Sequence, residues 1–497
     1  MSALYAEAAG VLEGLFRRSG GLKSLTYDEK IKSKRNCFAL VCQTLRYKPL
    51  LDELINAVPE LTKLLKKSSG KKPKNDGAQR ALYYIAIYDL LFGKDKKIQG
   101  GGFVKKQVMA NQNALKTALV RLKIKKKVAT EEELLPEENR ISHAIKLPRY
   151  ARINTLLVKE SIADIADIRT ALGLPEDLIF EMDPHVNDLI VFPAGTELHT
   201  HPSVINGKLI LQDKASCFSA FVLQGERGFD DHGDVIDACA APGNKTSHAA
   251  MLVARKQSSR PIKVFAFDRS ATRLDLLKRR MVSAGADKIV EPCLQSFLDI
   301  DVNDPKYQNV SAILLDPSCS GSGMSNRLDH LLELASMKQG FEDPSEHDEQ
   351  DSSSNEVQAR LQSLADFQLE ALKKAFTFPN VNRIAYSTCS IFEKENEEVV
   401  IAALRASEEA GTPFHLVKAL PTWPRRGIVI DGLSNDQADY LVRANGLEDG
   451  TNGFFVAYFE RSNNLKRKRE KTEAQKERKK RKRKALQERK KALTDES

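Results

Sequence analysis

Two short runs in this sequence each carry a cysteine just past an apolar stretch. One is Leu314-Leu315-Asp316-Pro317-Ser318-Cys319-Ser320-Gly321, and the other is Ile384-Ala385-Tyr386-Ser387-Thr388-Cys389-Ser390. Each apolar run predicts a buried β-strand, and each polar sequel predicts a turn. In open α/β sheets, ligands bind beyond the carboxyl ends of the strands. Both thiols are therefore expected on one functional edge. A thiol pair there suits covalent chemistry on a nucleobase, with one thiol attacking and one assisting release. The plain alternative is two unrelated core cysteines, since free cysteine is often buried. The Asp-Pro and Ser-Thr contexts speak against it.

The thiolate is the reactive form, so an ordinary cysteine pKa of about 8.5 must be lowered. Ser390 and Glu393 have the Ser-x-x-Glu spacing of a helix capping box. That spacing predicts a helix N-terminus beside Cys389, which favours its anion. Cys389 is thus the expected nucleophile. Cys319 is the expected base or release group.

A third stretch, Asp234-Val235-Ile236-Asp237-Ala238-Cys239-Ala240-Ala241-Pro242-Gly243-Asn244-Lys245-Thr246, reads as strand, tight turn and helix start. Its small residues let backbone N–H groups approach a ligand closely. It is neither a dinucleotide fingerprint nor a phosphate-binding P-loop, because the glycine spacing of both is missing. Asp268 ends the next apolar run, Phe265-Ala266-Phe267. A carboxylate there can accept the two hydroxyls of a ribose, or it can cap the next helix.

These motifs need a sheet to hold them. From Asp234 the chain alternates strand and helix, the signature of a doubly wound parallel sheet. Strands are expected at Val235–Asp237, Lys263–Phe267, Ala312–Leu315, Arg383–Tyr386 and Gly453–Phe459. Ahead of it, Leu189–Phe192 and Lys208–Asp213 read as strands of a small α+β layer. Residues 1–140 read as a helical domain with lysine-rich loops at 66–74 and 94–97, which offer either an RNA contact or a solvated surface. The catalytic domain is expected at 141–462. Its acidic, serine-rich stretch at 340–356 is too polar to order itself. A basic tail is expected at 463–497.

The chain has 497 residues and a net charge of +10, and that charge is unevenly placed. Residues 464–497 hold 16 Lys or Arg against 6 Asp or Glu, so the rest of the chain is neutral. The tail reads as a nuclear or nucleolar address with RNA affinity, and any contact made by the body must come from local patches. The seven scattered cysteines fit a reducing compartment. No run is long enough to span a bilayer, and Met1–Tyr5 lacks the basic start of a signal sequence.

Taken in order, the motifs at 237–246, 316–321 and 387–390 resemble the Sun-type (Fmu-type) family of S-adenosylmethionine-dependent RNA cytosine methyltransferases. Gln212-Asp213-Lys214-Ala215-Ser216 and the closing Gly453-Phe454-Phe455 also fit. The resemblance covers about 149–460. Asn244, where most of the family has glycine, and Trp423-Pro424-Arg425-Arg426-Gly427 resemble the branch acting on large-subunit ribosomal RNA. The resemblance implies a Rossmann-like class I methyltransferase fold and S-adenosylmethionine as cofactor. It implies that Cys239, Ala240, Ala241, Pro242, Gly243, Asn244 and Lys245 wrap the cofactor's methionine end. Asp268 would hold the ribose with Arg273 close by, and Asp316 would face both cofactor and target base. Ser296 stands at the adenine contact, where the family usually has an acidic residue.

The implied partner is RNA in pre-ribosomes, with no membrane and no metal, and the implied site is the nucleolus. Cytosine carbon 5 is a poor nucleophile, and a thiolate added at carbon 6 turns the ring into an enamine that can accept a methyl group. In the DNA cytosine methyltransferases the Pro-Cys loop attacks instead, which makes Cys319 the rival nucleophile. A transfer-RNA methyltransferase and a non-catalytic assembly factor are the alternative functions. Retention of both cysteines with Asp316 argues against the second. His199 and His201 read as a loop pair without a third metal ligand. Cys37, Cys42, Cys217 and Cys293 read as residues without chemistry. Trp423 either stacks on a base or packs.

Overall fold

The computed structural model describes residues 2–17, 19–68, 77–136, 147–159, 164–225, 228–230, 233–255, 258, 260–324 and 350–462. The chain divides into two compact units. One holds 1–147, 320–361 and 446–450, and the other holds 148–319, 362–445 and 451–497. The expected domain boundary at 140/141, residues 69–74 of the basic loop expected at 66–74 and the tail at 463–497 lie outside the described residues, and residues 66–68 of that loop belong to a helix.

Within 1–147 the apolar residues recur at helical spacing and form helices. These are α1 (Ala3–Phe16), α2 (Leu22–Thr26), α3 (Lys34–Asn56), α4 (Pro59–Ser68), α5 (Gly77–Leu91), α6 (Phe103–Ala110) and α7 (Gln112–Lys126). Cys37, Val41, Leu45, Leu51 and Leu54 line one stripe of α3 and are buried against Tyr5, Leu12 and Ile85. The apolar runs Cys37–Cys42 and Ala81–Ala86 fall inside α3 and α5. Lys94, Lys96 and Lys97 are exposed.

The second unit begins with a small antiparallel sheet of β1 (Arg149–Ile153), β2 (Glu181–Met182), β3 (Leu189–Phe192) and β4 (Leu209–Leu211), in the order β2-β3-β1-β4. Helices α8 (Ile165–Leu172) and α9 (Pro202–Ile205) accompany it. Two polar side chains at the end of β1 fasten this layer to later segments of the chain. Arg152 is fully buried and donates to Gln212 Oε1 (3.3 Å), Met251 Sδ (3.1 Å) and Ser247 Oγ (2.9 Å). Asn154 Nδ2 donates to the carbonyls of Gly207 and Ala284.

The main sheet contains β5 (Asp234–Asp237), β6 (Val264–Asp268), β7 (Val290–Leu294), β8 (Val310–Leu315), β9 (Arg383–Thr388), β10 (Phe414–Leu416), β11 (Val442–Ala444) and β12 (Phe454–Arg461). Its order is β10-β12-β9-β8-β5-β6-β7, with β11 also paired to β12. Strands β5 to β9 run parallel, and β12 lies antiparallel between β9 and β10. The helices around it are α10 (Lys214–Gln224), α11 (Asn244–Ala254), α12 (Ala271–Ser283), α13 (Gln350–Thr377), α14 (Glu397–Glu409) and α15 (Asn435–Tyr440). A parallel sheet covered on both faces must be apolar on both. Ile236, Ile313, Leu315, Ile384 and Tyr386 pack with Leu372, Ala375 and Val400. Val235, Ala312, Leu314 and Ala385 pack with Ala249, Leu252 and Leu277 on the other side.

One expectation changes here, and the short strands β10 and β11 stand outside those expected. Of the acidic stretch 340–356, residues 340–349 lie outside the described chain, but helix α13 already runs from Gln350. Once Ala365, Leu372 and Ala375 dock the helix, each residue added at its start needs only one more backbone hydrogen bond, so a polar sequence can extend it. Strands β10 and β11 have three residues each, too few for an alternation to be legible.

Candidate active site

The order of strands in the sheet reverses around β5: β6 and β7 lie to one side of it, and β8 lies to the other. Ligands of doubly wound sheets bind at such a switch point, beyond the strands' carboxyl ends. Asp237 ends β5, Asp316 directly follows β8, and the register pairs Asp237 with Leu314 and Leu315 with Tyr386. Cys319 and Cys389 therefore leave the sheet at the same end.

The two thiols meet. Cys319 Sγ and Cys389 Sγ are 3.2 Å apart, and both residues are half-buried. The Cys319 thiol is pushed well above the ordinary range, first by its hydrogen bond with Cys389 and then by burial. Below them, Lys245 Nζ pairs with Asp316 Oδ2 at 2.8 Å. Burial works against this ammonium, yet Asp316 holds its pKa above the usual lysine value. Asp316 Oδ1 accepts from Ser387 Oγ (2.7 Å), which in turn accepts from Ser219 Oγ (2.9 Å). One carboxylate thus has both oxygens fixed at the foot of the thiol pair. The ring of Phe454, in the closing strand, lies 5.2 Å from Lys245 Nζ.

The turn after β5 is held as firmly. Ala238 N–H donates to Leu314 O, Ala240 N–H to Phe267 O and Gly243 N–H to Ala240 O. Thr246 Oγ1 donates to Asp237 Oδ2 at 2.7 Å. Gly243 has φ 104°, and a Cβ there would come within 2.9 Å of Met281 Cε. Glycine is required chiefly by that left-handed φ, since Met281 Cε is the flexible end of a side chain and could give way. Arg273 pairs with Asp268 Oδ2 at 3.2 Å and donates to Ala241 O at 2.5 Å, joining the end of β6 to the turn. Asp268 Oδ1 accepts from Ser270 N–H, while the cap of α12 is the Ser270 hydroxyl. Asn244 Oδ1 accepts from Arg280 on the outer face of the turn. A cavity of about 330 Å³ adjoins that face, bounded by Leu209, Leu211, Met281 and Arg280.

Three segments match known family profiles. Residues 35–135 match the N-terminal domain of NOL1/NOP2/Sun domain family member 5, and residues 147–212 match its ferredoxin-like domain. Residues 228–338 match the 16S rRNA methyltransferase RsmB/F family. Among curated relatives, the 28S rRNA (cytosine-C(5))-methyltransferase of Mus musculus is 38% identical over 92% of this chain and 91% of its own. The chain belongs to the Sun-type cytosine-5 methyltransferase family. Its relatives include the 25S rRNA (cytosine-C(5))-methyltransferase rcm1 of Schizosaccharomyces pombe, 36% identical over 91% of this chain and 90% of the relative. The Arabidopsis thaliana 25S enzyme NSUN5 is 37% identical over 93% and 74%. The fold matches the crystal structure of PH0851 with a TM-score of 0.55, at 19% identity over 93% of this chain and 99% of that one.

In this Sun-type methyltransferase Ser219 joins the site from outside the motifs, and Asp237 and Ser387, which open two of the motifs, take roles that were not assigned to them. Asp237 is fully buried, and burial raises its carboxyl to about 7. Its Oδ1 has no hydrogen-bond partner among the described residues. Ser219 and Ser387 support Asp316. Ser219 comes from an apolar run, where a small buried hydroxyl was the available signal, and Ser387 opens the Ser-Thr-Cys-Ser motif.

The expected Ser390–Glu393 capping box does not form. Ser390 Oγ accepts from Phe392 N–H, a 3₁₀ turn covers Glu393–Glu395, and α14 starts only at Glu397. Asn396 is the cause. It accepts from Thr388 Oγ1 (2.5 Å) and donates to Ser390 O (3.0 Å), which folds the segment into a loop before any helix begins. The positive group near Cys389 is Lys245, which feels the Cys389 thiol electrostatically.

Trp423 is 3% exposed, packs edge-on against Phe218 and donates to Arg443 O, so it packs rather than offering a face. Ser296 Oγ accepts from Leu298 N–H and caps a short turn after β7. His201 accepts from Ser203 N–H and caps α9. Among the described residues, no group of three or more His, Cys, Asp or Glu is placed to hold a metal ion. Cys217 is buried, which pushes its thiol up to about 12, and burial raises Cys293 and Cys239 as well.

Asp268→Ala should weaken S-adenosylmethionine binding about tenfold or more, because hydrogen bonds to a charged group contribute roughly 1.5–3 kcal/mol each. Calorimetry on the folded variant measures this directly. An unchanged affinity would remove Asp268 from the cofactor site.

Proposed function

We propose that this enzyme forms 5-methylcytosine in large-subunit ribosomal RNA, in pre-ribosomes of the nucleolus, through a covalent cysteine intermediate. The observation that carries this reading is the 3.2 Å meeting of Cys319 and Cys389 above the Asp316–Lys245 pair. Its cofactor is S-adenosylmethionine, which supplies the methyl group when bound. The residues present fit it. A strand-end carboxyl, Asp268, is available to a ribose. Asp237 keeps a buried, unpartnered oxygen under the turn, where a cationic ligand compensates the carboxyl group. Cys239 to Lys245 would form the wall at its methionine end.

Cys389, as the thiolate, adds to cytosine carbon 6. Asp316 accepts from the amino edge of the flipped-out base and holds it, while the Lys245 ammonium beside it steadies the negative charge that addition puts on the ring. The sharing of one proton between the thiols then ends, because Cys389 has become a thioether. Cys319 no longer shares its proton with Cys389, though burial still favours the thiol, and that proton must pass to solvent before Cys319 can act as base. As a thiolate it takes the proton from carbon 5. The electrons of that C–H bond restore the ring double bond and expel the Cys389 thiolate. One proton is released per methyl group added.

Bisulfite sequencing of total RNA from cells lacking the gene, complemented with the full chain or with a chain ending at residue 462, tests both substrate and location. The full chain should restore one or more large-subunit cytosines. The shortened chain should methylate a naked rRNA fragment at low salt, with a weaker salt dependence of binding, and should fail to concentrate in the nucleolus. Restoration confined to transfer RNA would sink the ribosomal reading. Nucleolar enrichment of the shortened chain would move the address to the N-terminal lysine clusters.

A further inference from the structure

We propose that Gln368 is a positioning residue that clamps the two thiol-bearing loops to each other and so sets the approach of Cys319 to Cys389. The proposal rests on the covalent reading above. Gln368 lies on α13 and is fully buried. Its amide has two N–H donors and one carbonyl acceptor. One N–H reaches the carbonyl of Ser318, the residue before Cys319, at 3.1 Å. The other reaches Glu395 Oε1, in the turn after Cys389, at 3.1 Å. Its own Oε1 faces the Tyr386 hydroxyl at 3.1 Å. Tyr386 is on β9, three residues before Cys389, and its hydroxyl also donates to Glu395 O at 2.5 Å.

Both N–H donors of this buried amide are therefore used, one on each loop, while its Oε1 shares the single Tyr386 hydroxyl proton with Glu395 O. Ser318 itself is exposed, so its carbonyl has no other reason to be fixed by a buried side chain. With two acceptors on one side and a hydroxyl on the other, the amide has one satisfactory orientation. Neither a carboxylate nor a thioether can replace it. A carboxylate would set acceptor against acceptor, and a thioether would remove the donor to the Ser318 carbonyl and one donor to the Glu395 carboxyl.

The consequence is selective. Attack depends on Cys389, whose loop is also held by Thr388 and Asn396. Release depends on Cys319, and Gln368 is the side chain that ties the peptide in front of it to the Cys389 loop. Loosening the clamp should slow removal of the carbon 5 proton more than it slows attack. A misplacement of about 1 Å at a reacting group costs on the order of a hundredfold.

The test compares Gln368→Met with the wild-type chain on a fragment of large-subunit rRNA. It follows cofactor affinity, the rate of covalent protein–RNA formation, the steady-state fraction of adduct and turnover. The expected result is unchanged cofactor affinity, near-normal adduct formation, turnover reduced about tenfold or more, and a higher adduct fraction. Tyr386→Phe, which removes only the hydroxyl opposite the amide, should show the same pattern more weakly, and it decides the matter if Gln368→Met does not fold. Unchanged turnover, or a parallel fall in affinity, attack and turnover, would overturn the clamp and leave Gln368 a packing residue. Cys319→Ala is run alongside: if neither it nor the wild-type chain forms any adduct, the covalent reading fails instead.

Discussion

Cys389→Ala should neither methylate RNA nor form a covalent adduct, while Cys319→Ala should methylate poorly and accumulate protein joined to RNA. The difference arises from the roles of two thiols that touch. Without Cys389 nothing adds to carbon 6, and turnover should fall by several orders of magnitude, as it does when a nucleophile is removed from a catalytic unit. Without Cys319 the adduct forms and accepts the methyl group, but the carbon 5 proton stays. The trapped species should run as a slow band on a denaturing gel and disappear with ribonuclease. Adduct in Cys389→Ala and none in Cys319→Ala would reverse the assignment and make the Asp-Pro-Ser-Cys loop the attacker. Full activity in both variants would end the covalent mechanism.

Arg443→Met should destabilise the catalytic unit by about 3–5 kcal/mol, the usual consequence of stripping a buried carboxylate of its partner. Arg443 on β11 grips fully buried Glu397 with Nε at 2.7 Å and Nη2 at 2.5 Å. Its Nη1 donates to Ile391 O, in the turn after Cys389. The substitution therefore leaves Glu397 uncompensated and frees the loop behind the nucleophile. Chemical denaturation of both proteins reads the loss, and the double variant Arg443→Met, Glu397→Gln should recover a large part of it. Equal stability of wild type and single variant would show that solvent reaches Glu397 freely.

The residues that sequence reading located best are those whose chemistry is local. The turn from Asp237 to Thr246 is legible because small residues between a strand and a helix permit few structures. The ends of β8 and β9 are legible because an apolar run stops abruptly at polar residues. Contacts between distant segments could not be read in the same way. Asp316 and Lys245 were each singled out, but their pairing arises only when β5, which leads into the Lys245 turn, pairs with β8. Gln368 was missed although a signal existed: Leu361, Ala365, Gln368, Leu372 and Ala375 form one helical stripe, and Gln368 is its polar member. The Ser390–Glu393 spacing misled, because Asn396 competes for the same backbone and wins with two buried hydrogen bonds.

Strand β12 completes the sheet from late in the chain. It covers β9 along Phe455–Glu460, and β9 is the strand that delivers Cys389. A ribosome reaches Phe454 only after every strand-borne site residue has been made, on the order of ten seconds after β9 at ordinary elongation rates. Through that interval the nascent chain carries both thiols and the whole cofactor half, while β9 has an unpaired, apolar edge. Such an edge is a template for misplaced pairing. Premature termination before Phe454 should therefore yield a sticky, protease-sensitive fragment rather than a weakly active enzyme. Synthesis order thereby keeps an incomplete chain from acting on RNA.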